Sequence, residues 1–181
     1  MTSDIFVVGI TAGIASGKSS VVSFLKQKNY NVVDTSEILY NTLTKSGIIE
    51  PQRQDYHNFY NQGSTNLDDL LIPTIITSIN EGRNVIDSVK TIQQDDILRK
   101  SFHYVLIYLN TPIEKRFELN QKRSRFKDDK SMTFDDFLVY IQMYGESQME
   151  SLKQRSDFVL DFFDEPEKRH NSLISYLSSL K

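Results

Sequence analysis

Residues 9–20 read GITAGIASGKSS, and the reading of this stretch decides the fold. It closes a continuous apolar run, Ile5 to Ile10 (IFVVGI), whose β-branched character is that of a strand buried on both faces. It opens into Lys18 to Lys28 (KSSVVSFLKQK), where Val21, Val22, Phe24 and Leu25 gather on one side as in an amphipathic helix. A glycine-bearing turn between a buried strand and a helix start is a cradle for phosphate. Glycines let backbone N–H groups turn inward, and the helix N-terminus adds its partial positive charge. In such a loop Gly13, Ile14, Ala15, Ser16, Gly17, Lys18, Ser19 and Ser20 line the cradle. The Lys18 ammonium reaches the β- and γ-phosphates and the Ser19 hydroxyl ligates magnesium, so ATP and Mg2+ are the expected cofactors. The strict pattern has glycine where this chain has Ala12, a mild steric demand on the turn rather than a lost functional group.

Outward from the loop, strands and helices alternate. Asn31 to Asp34 (NVVD) predicts a second strand, and Thr35 to Glu37 starts a helix through Ile38, Leu39 and Leu43. Across residues 51–80, Leu67, Leu70, Leu71, Ile75, Ile76 and Ile79 recur at helical spacing, with Pro73 expected to kink or restart the helix. Asn84 to Asp87 (NVID) and Phe102 to Leu109 (FHYVLIYL) predict a third and a fourth strand. Thr111-Pro112-Ile113-Glu114 starts a helix running to about Arg123, the charged stretch Ser124 to Ser131 is an exposed loop, and Thr133 with Asp136 caps a long helix to about Arg155. Asp157 to Phe162 is the fifth strand, and a last helix starts near Pro166. Such alternation implies an α/β fold with a parallel sheet covered on both faces.

Ligands of open α/β sheets sit beyond the carboxyl ends of the strands, which makes Asp34 and Asp87 site candidates. A carboxylate at Asp34 suits either a base for an attacking hydroxyl or a helix cap. Asp87 suits magnesium or substrate. Positive charge over a transferring phosphoryl group is offered by Arg116, Lys122, Arg123 and Arg125, alternatively a solvated face, and Arg53 is placed to grip a substrate phosphate, alternatively a surface residue.

Composition removes other classes. The 181 residues suffice for a single domain and carry 39% hydrophobic and 25% charged side chains. With 21 basic against 24 acidic groups there is no overall positive field for a nucleic acid polymer. The absence of cysteine removes disulfides and thiolate chemistry, and His57, His103 and His170 are scattered without metal-ligand spacing. No apolar run approaches a membrane span and no secretory leader is visible, so a soluble, cytoplasmic protein is expected, without a membrane partner.

With these residues in place, GITAGIASGKSS and NVVDTSEI resemble the phosphate loop and following segment of the dephospho-coenzyme A kinase and nucleoside monophosphate kinase group of P-loop kinases. NVIDSVKTIQQ, VLIYLNTPIEKRFELNQKR and SDFVLDF follow in the order of that group. The resemblance implies a three-layer P-loop NTPase fold with a five-stranded parallel sheet, a helical substrate-binding insert over about 48–80 and a lid over about 122–132. It implies ATP-dependent phosphoryl transfer to a small nucleotide-like acceptor, with Lys18 and Ser19 on ATP and magnesium, Asp34 as base, and Arg116 and Arg123 in the lid. Arg125 joins Asp34, Arg53 and Asp87 as expected substrate contacts. Two departures bear on the acceptor: Ser36 stands where these kinases usually have a second acidic residue, and Ser88 and Lys90 stand where related proteins often carry glycine and arginine. A nucleotide-binding switch or regulatory ATPase, and an inactive kinase-like chain, are the alternative readings.

Overall fold

The computed structural model describes residues 5–45, 47–51, 55, 64–122, 130–143, 148–163 and 165–180. Five strands form one sheet: β1 (Phe6–Thr11), β2 (Asn31–Val33), β3 (Arg83–Ile86), β4 (His103–Asn110) and β5 (Phe158–Asp161). Their spatial order is β2-β3-β1-β4-β5, and every pairing is parallel. Parallel neighbours require crossovers, and helices supply them. Among the described residues these are α1 (Lys18–Gln27), α2 (Thr35–Lys45), α3 (Ser64–Thr77), α4 (Ile92–Ser101), α5 (Ile113–Lys122), α6 (Phe134–Met143), α7 (Met149–Arg155) and α8 (Pro166–Ser179).

The period-two alternation of a strand divides the core into two layers. Val7, Ile86 and Leu106 face one side and pack with Leu39 and Leu43 of α2, Leu71 and Ile75 of α3, Leu98 of α4 and Leu152 of α7. Val8, Ile10, Val85, Ile107 and Leu160 face the other and pack with Val21 and Leu25 of α1 and Leu173 and Leu177 of α8. Because β1 is central, both of its faces are closed, and its carboxyl end is the natural exit for a functional loop.

Three elements add to the sequence reading. The segment between β3 and β4 carries helix α4, which hydropathy leaves unmarked because its buried positions include Gln94 and Asp95. Thr91 caps it by accepting from the Gln94 amide at 3.1 Å. Of the long helix expected from Thr133 to Arg155, the described residues form α6 and α7, with 144–147 outside the described residues, and the Thr133–Asp136 capping box forms as read, with the Asp136 amide 3.1 Å from Thr133 Oγ1. Pro73 lies inside α3 and so does not restart the helix.

Candidate functional site

The loop from Ala12 to Gly17 joins β1 to α1. Ala12 is fully buried, packs in the layer with α1 and α8, and does not have a positive φ, so the alanine fits where the strict pattern has glycine. Gly17 has φ of 78°, the left-handed region that favours glycine. Ala15 has φ of 58°, an unusual conformation for a residue with a side chain, and one that concentrates at functional loops.

Three carbonyls of the loop, at every second residue, are held by side chains from elsewhere in the fold. Lys90 Nζ donates to the Ala12 carbonyl at 3.1 Å, and Arg116 Nε donates to that of Ile14 at 2.8 Å. Thr111 Oγ1 donates to that of Ser16 at 2.9 Å, with Arg169 Nη2 at 3.5 Å from the same oxygen. In a planar trans peptide the C=O of one residue and the N–H of the next point in opposite directions. Anchoring the carbonyls of 12, 14 and 16 therefore turns the amides of Gly13, Ala15 and Gly17 to the other side. Among the described residues those three amides donate to no protein acceptor. An array of convergent, unused N–H groups at a helix start is what an anion requires.

Lys18, the first residue of α1, is half-buried and reaches across to the end of β3. Its Nζ donates to Ser88 Oγ at 2.8 Å and lies 3.3 Å from the Asp87 carbonyl oxygen. The Asp87 carboxylate uses Oδ1 to accept from Thr35, from its amide at 2.9 Å and its hydroxyl at 2.6 Å. This fixes the start of α2 against β3. Asp34 lies one residue beyond Val33, whose register partner is Ile86, so the two carboxylate-bearing residues terminate neighbouring strands. Asp34 is exposed, and its Oδ1 accepts from the Glu37 amide at 2.9 Å, capping α2. Ser19 and Ser20 are exposed on the first turn of α1.

The structure thus brings Gly13, Ile14, Ala15, Ser16, Gly17, Lys18 and Asp87 together and leaves Asp34 beside them. Arg116 sits against the outside of the loop, its guanidinium 2.5 Å from the point where a Cβ on Gly13 would stand. Helix α5, which carries Arg116, is braced by Phe117, whose ring packs edge-on against Phe134 of α6 at 5.2 Å. Arg53, Arg123, Arg125 and His57, with most of the expected lid, lie outside the described residues. His103 packs against Phe6, and His170 stacks on Phe24. Among the described residues no group of three or more His, Cys, Asp or Glu side chains could hold a metal ion, and no helix is long and apolar enough to cross a membrane.

Sequence reasoning gave Lys90 and Ser88 no role at the loop, read Thr111 as a helix cap, and missed Arg169 entirely. One signal for Arg169 was present: it occupies the core-facing stripe of α8 with Leu173 and Leu177, where a leucine-like residue is expected.

A central parallel strand, a loop at its carboxyl end and a lysine opening the next helix are the arrangement of the P-loop kinase fold. The comparisons agree. No family model matches the chain. A "UPF0200 protein" of Methanococcus vannielii is 23% identical over 179 residues, covering 96% of each chain. A dephospho-CoA kinase of Streptococcus mutans is 42% identical over 41 residues, which is 23% of this chain and 21% of that enzyme. Among solved structures, shikimate kinase from Bacteroides thetaiotaomicron superposes with a TM-score of 0.68 at 10% identity, over 96% of this chain and 99% of that one. The chain has the fold of the P-loop kinases.

Proposed function

We propose that this protein transfers the γ-phosphoryl group of ATP to a small nucleotide-like acceptor, either dephospho-coenzyme A or a nucleoside or deoxynucleoside monophosphate. The observation that carries the reading is the loop itself: three amides, of Gly13, Ala15 and Gly17, turned away from anchored carbonyls, with Lys18 beside them. Polyphosphate fits this donor set. Bound there, ATP with Mg2+ supplies the phosphoryl group and its counter-charge.

The side chains divide the remaining work. Lys18 exchanges its contact with Ser88 for the β- and γ-phosphates. Ser19 and Asp87 are the residues to hold magnesium, one by its hydroxyl and the other by its second carboxylate oxygen. Asp34 is the candidate to accept the acceptor's proton, and Arg53, Arg123 and Arg125 are candidates to grip phosphates. Arg116 supports the loop from outside rather than reaching over it. The likeness over 41 residues to a dephospho-CoA kinase supports the nucleotide-like acceptor.

ADP formation from Mg–ATP tests the proposal against a panel of dephospho-coenzyme A, nucleoside monophosphates and deoxynucleoside monophosphates. The expected result is stimulation by one class and, in Lys18→Ala, a fall in rate of roughly 10²–10³-fold, the usual effect of removing one preorganised donor. Slow hydrolysis indifferent to every acceptor would sink the kinase reading in favour of a nucleotide switch.

A further inference from the structure

Arg169 stands at the first turns of α8, where a leucine-like side chain is expected, and is 4% exposed. Its guanidinium lies directly behind the phosphate loop. Nη1 is 3.2 Å from the point where a Cβ on Gly17 would stand, and Nη2 is 3.5 Å from the Ser16 carbonyl, which Thr111 already satisfies at shorter range. The other face contacts the Phe162 ring at 5.7 Å. Nε is buried and has no hydrogen-bond partner, and Ser16 Oγ, on the same loop, is likewise buried and unpartnered.

Arginine is poorly served by such isolation. It carries five donors and is ordinarily buried only with a carboxylate or phosphate to receive them. Among the described residues no carboxylate forms an ion pair with Arg169. Desolvation pulls its pKa down to about 10, the mark of a charge held where it is not welcome. A single long hydrogen bond does not offset the desolvation of a guanidinium. The arrangement becomes favourable once a multiply charged anion lies on the opposite side of the loop, because attraction between the two then acts across poorly screening protein.

We propose that Arg169 is a polyphosphate-coupled positioning residue: a guanidinium sealed behind the loop, unpaired in the free protein and compensated by the phosphates that the loop binds. This rests on the phosphate-binding reading of the loop and adds what that reading lacks, a thermodynamic link between nucleotide binding and the docking of α8. By reciprocity, the nucleotide tightens the seat of α8 as much as the seated Arg169 tightens the nucleotide.

Calorimetric titration with Mg–ATP and thermal melts, on the wild-type chain, Arg169→Met and Arg169→Lys, test it. Methionine keeps the apolar stem and removes the charge; lysine keeps the charge. The expected result is that Arg169→Met melts at or above the wild-type temperature without ligand yet binds Mg–ATP roughly tenfold more weakly, as removal of one charge near a polyanion predicts. Arg169→Lys should bind within about threefold of wild type, since it retains that charge. The proposal is overturned if Arg169→Met binds as wild type does, if lysine is as damaging as methionine, or if Arg169→Met melts lower or fails to fold, which would mean that the charge supports the free protein. Absence of ATP binding to the wild-type chain is a separate result and would refute the underlying loop assignment instead.

Discussion

The guanidinium of Arg116 rests on Gly13, so close that a methyl group there would stand 2.5 Å from it. The same side chain anchors the Ile14 carbonyl at 2.8 Å. Gly13 is therefore needed for the room it leaves to a neighbour rather than for its own backbone freedom, since it has no positive φ. Gly13→Ala should fold, displace Arg116 and weaken Mg–ATP binding about tenfold, the scale of one lost charge-assisted hydrogen bond. Arg116→Ala should do the same, and the double variant should be no worse than the weaker-binding single, because both remove one interaction. Additive losses in a titration of the three variants would show that the two residues act independently.

Asp34 serves as the cap of α2, whatever else it does. Asparagine caps about as well as aspartate, whereas alanine loses about 1 kcal/mol at such positions. Asp34→Asn should accordingly leave the melting temperature unchanged while lowering kcat by roughly 10²–10⁴-fold, the contribution of a general base. The KM for ATP should hold. A normal kcat in a well-folded Asp34→Asn protein would restrict this residue to its structural role.

Gly9 sits in the middle of β1 with the buried Tyr104 ring against it, and a Cβ there would come within 2.8 Å of the ring carbon Cε2. Tyr104 cannot swing out, as Arg116 can, because it is packed in the core beside α4. Gly9→Ala should destabilise the fold by about 1–3 kcal/mol, the usual range for overpacking. Denaturant titration reads it directly, and the double variant Gly9→Ala with Tyr104→Phe should recover part of the loss, since the tyrosine hydroxyl makes the closest approach.

His170 stacks on Phe24 at 4.1 Å and lies 3.4 Å from Ser20 Oγ. Burial, and then the neighbouring Arg169 charge, hold its pKa below the ordinary histidine range, although Glu167 and the Ser20 contact pull the other way. The unfolded chain thus binds the proton more readily than the folded one. Stability contributed by this site is present above the ordinary histidine range and is lost as pH falls through it, levelling off below the depressed folded value. His170→Phe retains the stack and removes the titration, so its stability should fall less than that of wild type between about pH 7 and 5. Parallel melting curves for the two proteins over that interval would contradict the assignment.

Much of this molecule is written plainly in its sequence. The β1–loop–α1 unit is legible because one apolar run, three small residues and GKS agree at every level of reading. Helix α4 is not, because its core-facing positions hold Gln94 and Asp95, whose burial depends on partners far away in sequence. Gln94 Nε2 donates to Asp68 at 2.7 Å, and Asp95 receives Arg99 at 3.0 Å and Arg155 at 2.6 Å. Hydropathy records a side chain's cost of leaving water and cannot record the partner that offsets it. The candidate site divides along the same line. Lys18 and Asp87 follow from strand ends and motif, while Lys90, Thr111 and Arg169 act through main-chain oxygens, for which no pattern of residue types exists. Arg116 was found as a charge and missed as a buttress.

The anchors of the loop come from positions 78, 95, 102 and 153 residues away from the carbonyls they hold. Closing such separations is the slow part of folding, because the entropy of bringing distant chain segments together is lost before any contact rewards it. The loop therefore takes its anchored shape only once those distant segments are in place, whereas α1 is a local element. A chain lacking α8 would keep the anchors at Lys90, Thr111 and Arg116 and lack only Arg169 behind the loop, so on the reading proposed above nucleotide affinity would report on the docking of that last helix as well as on the motif.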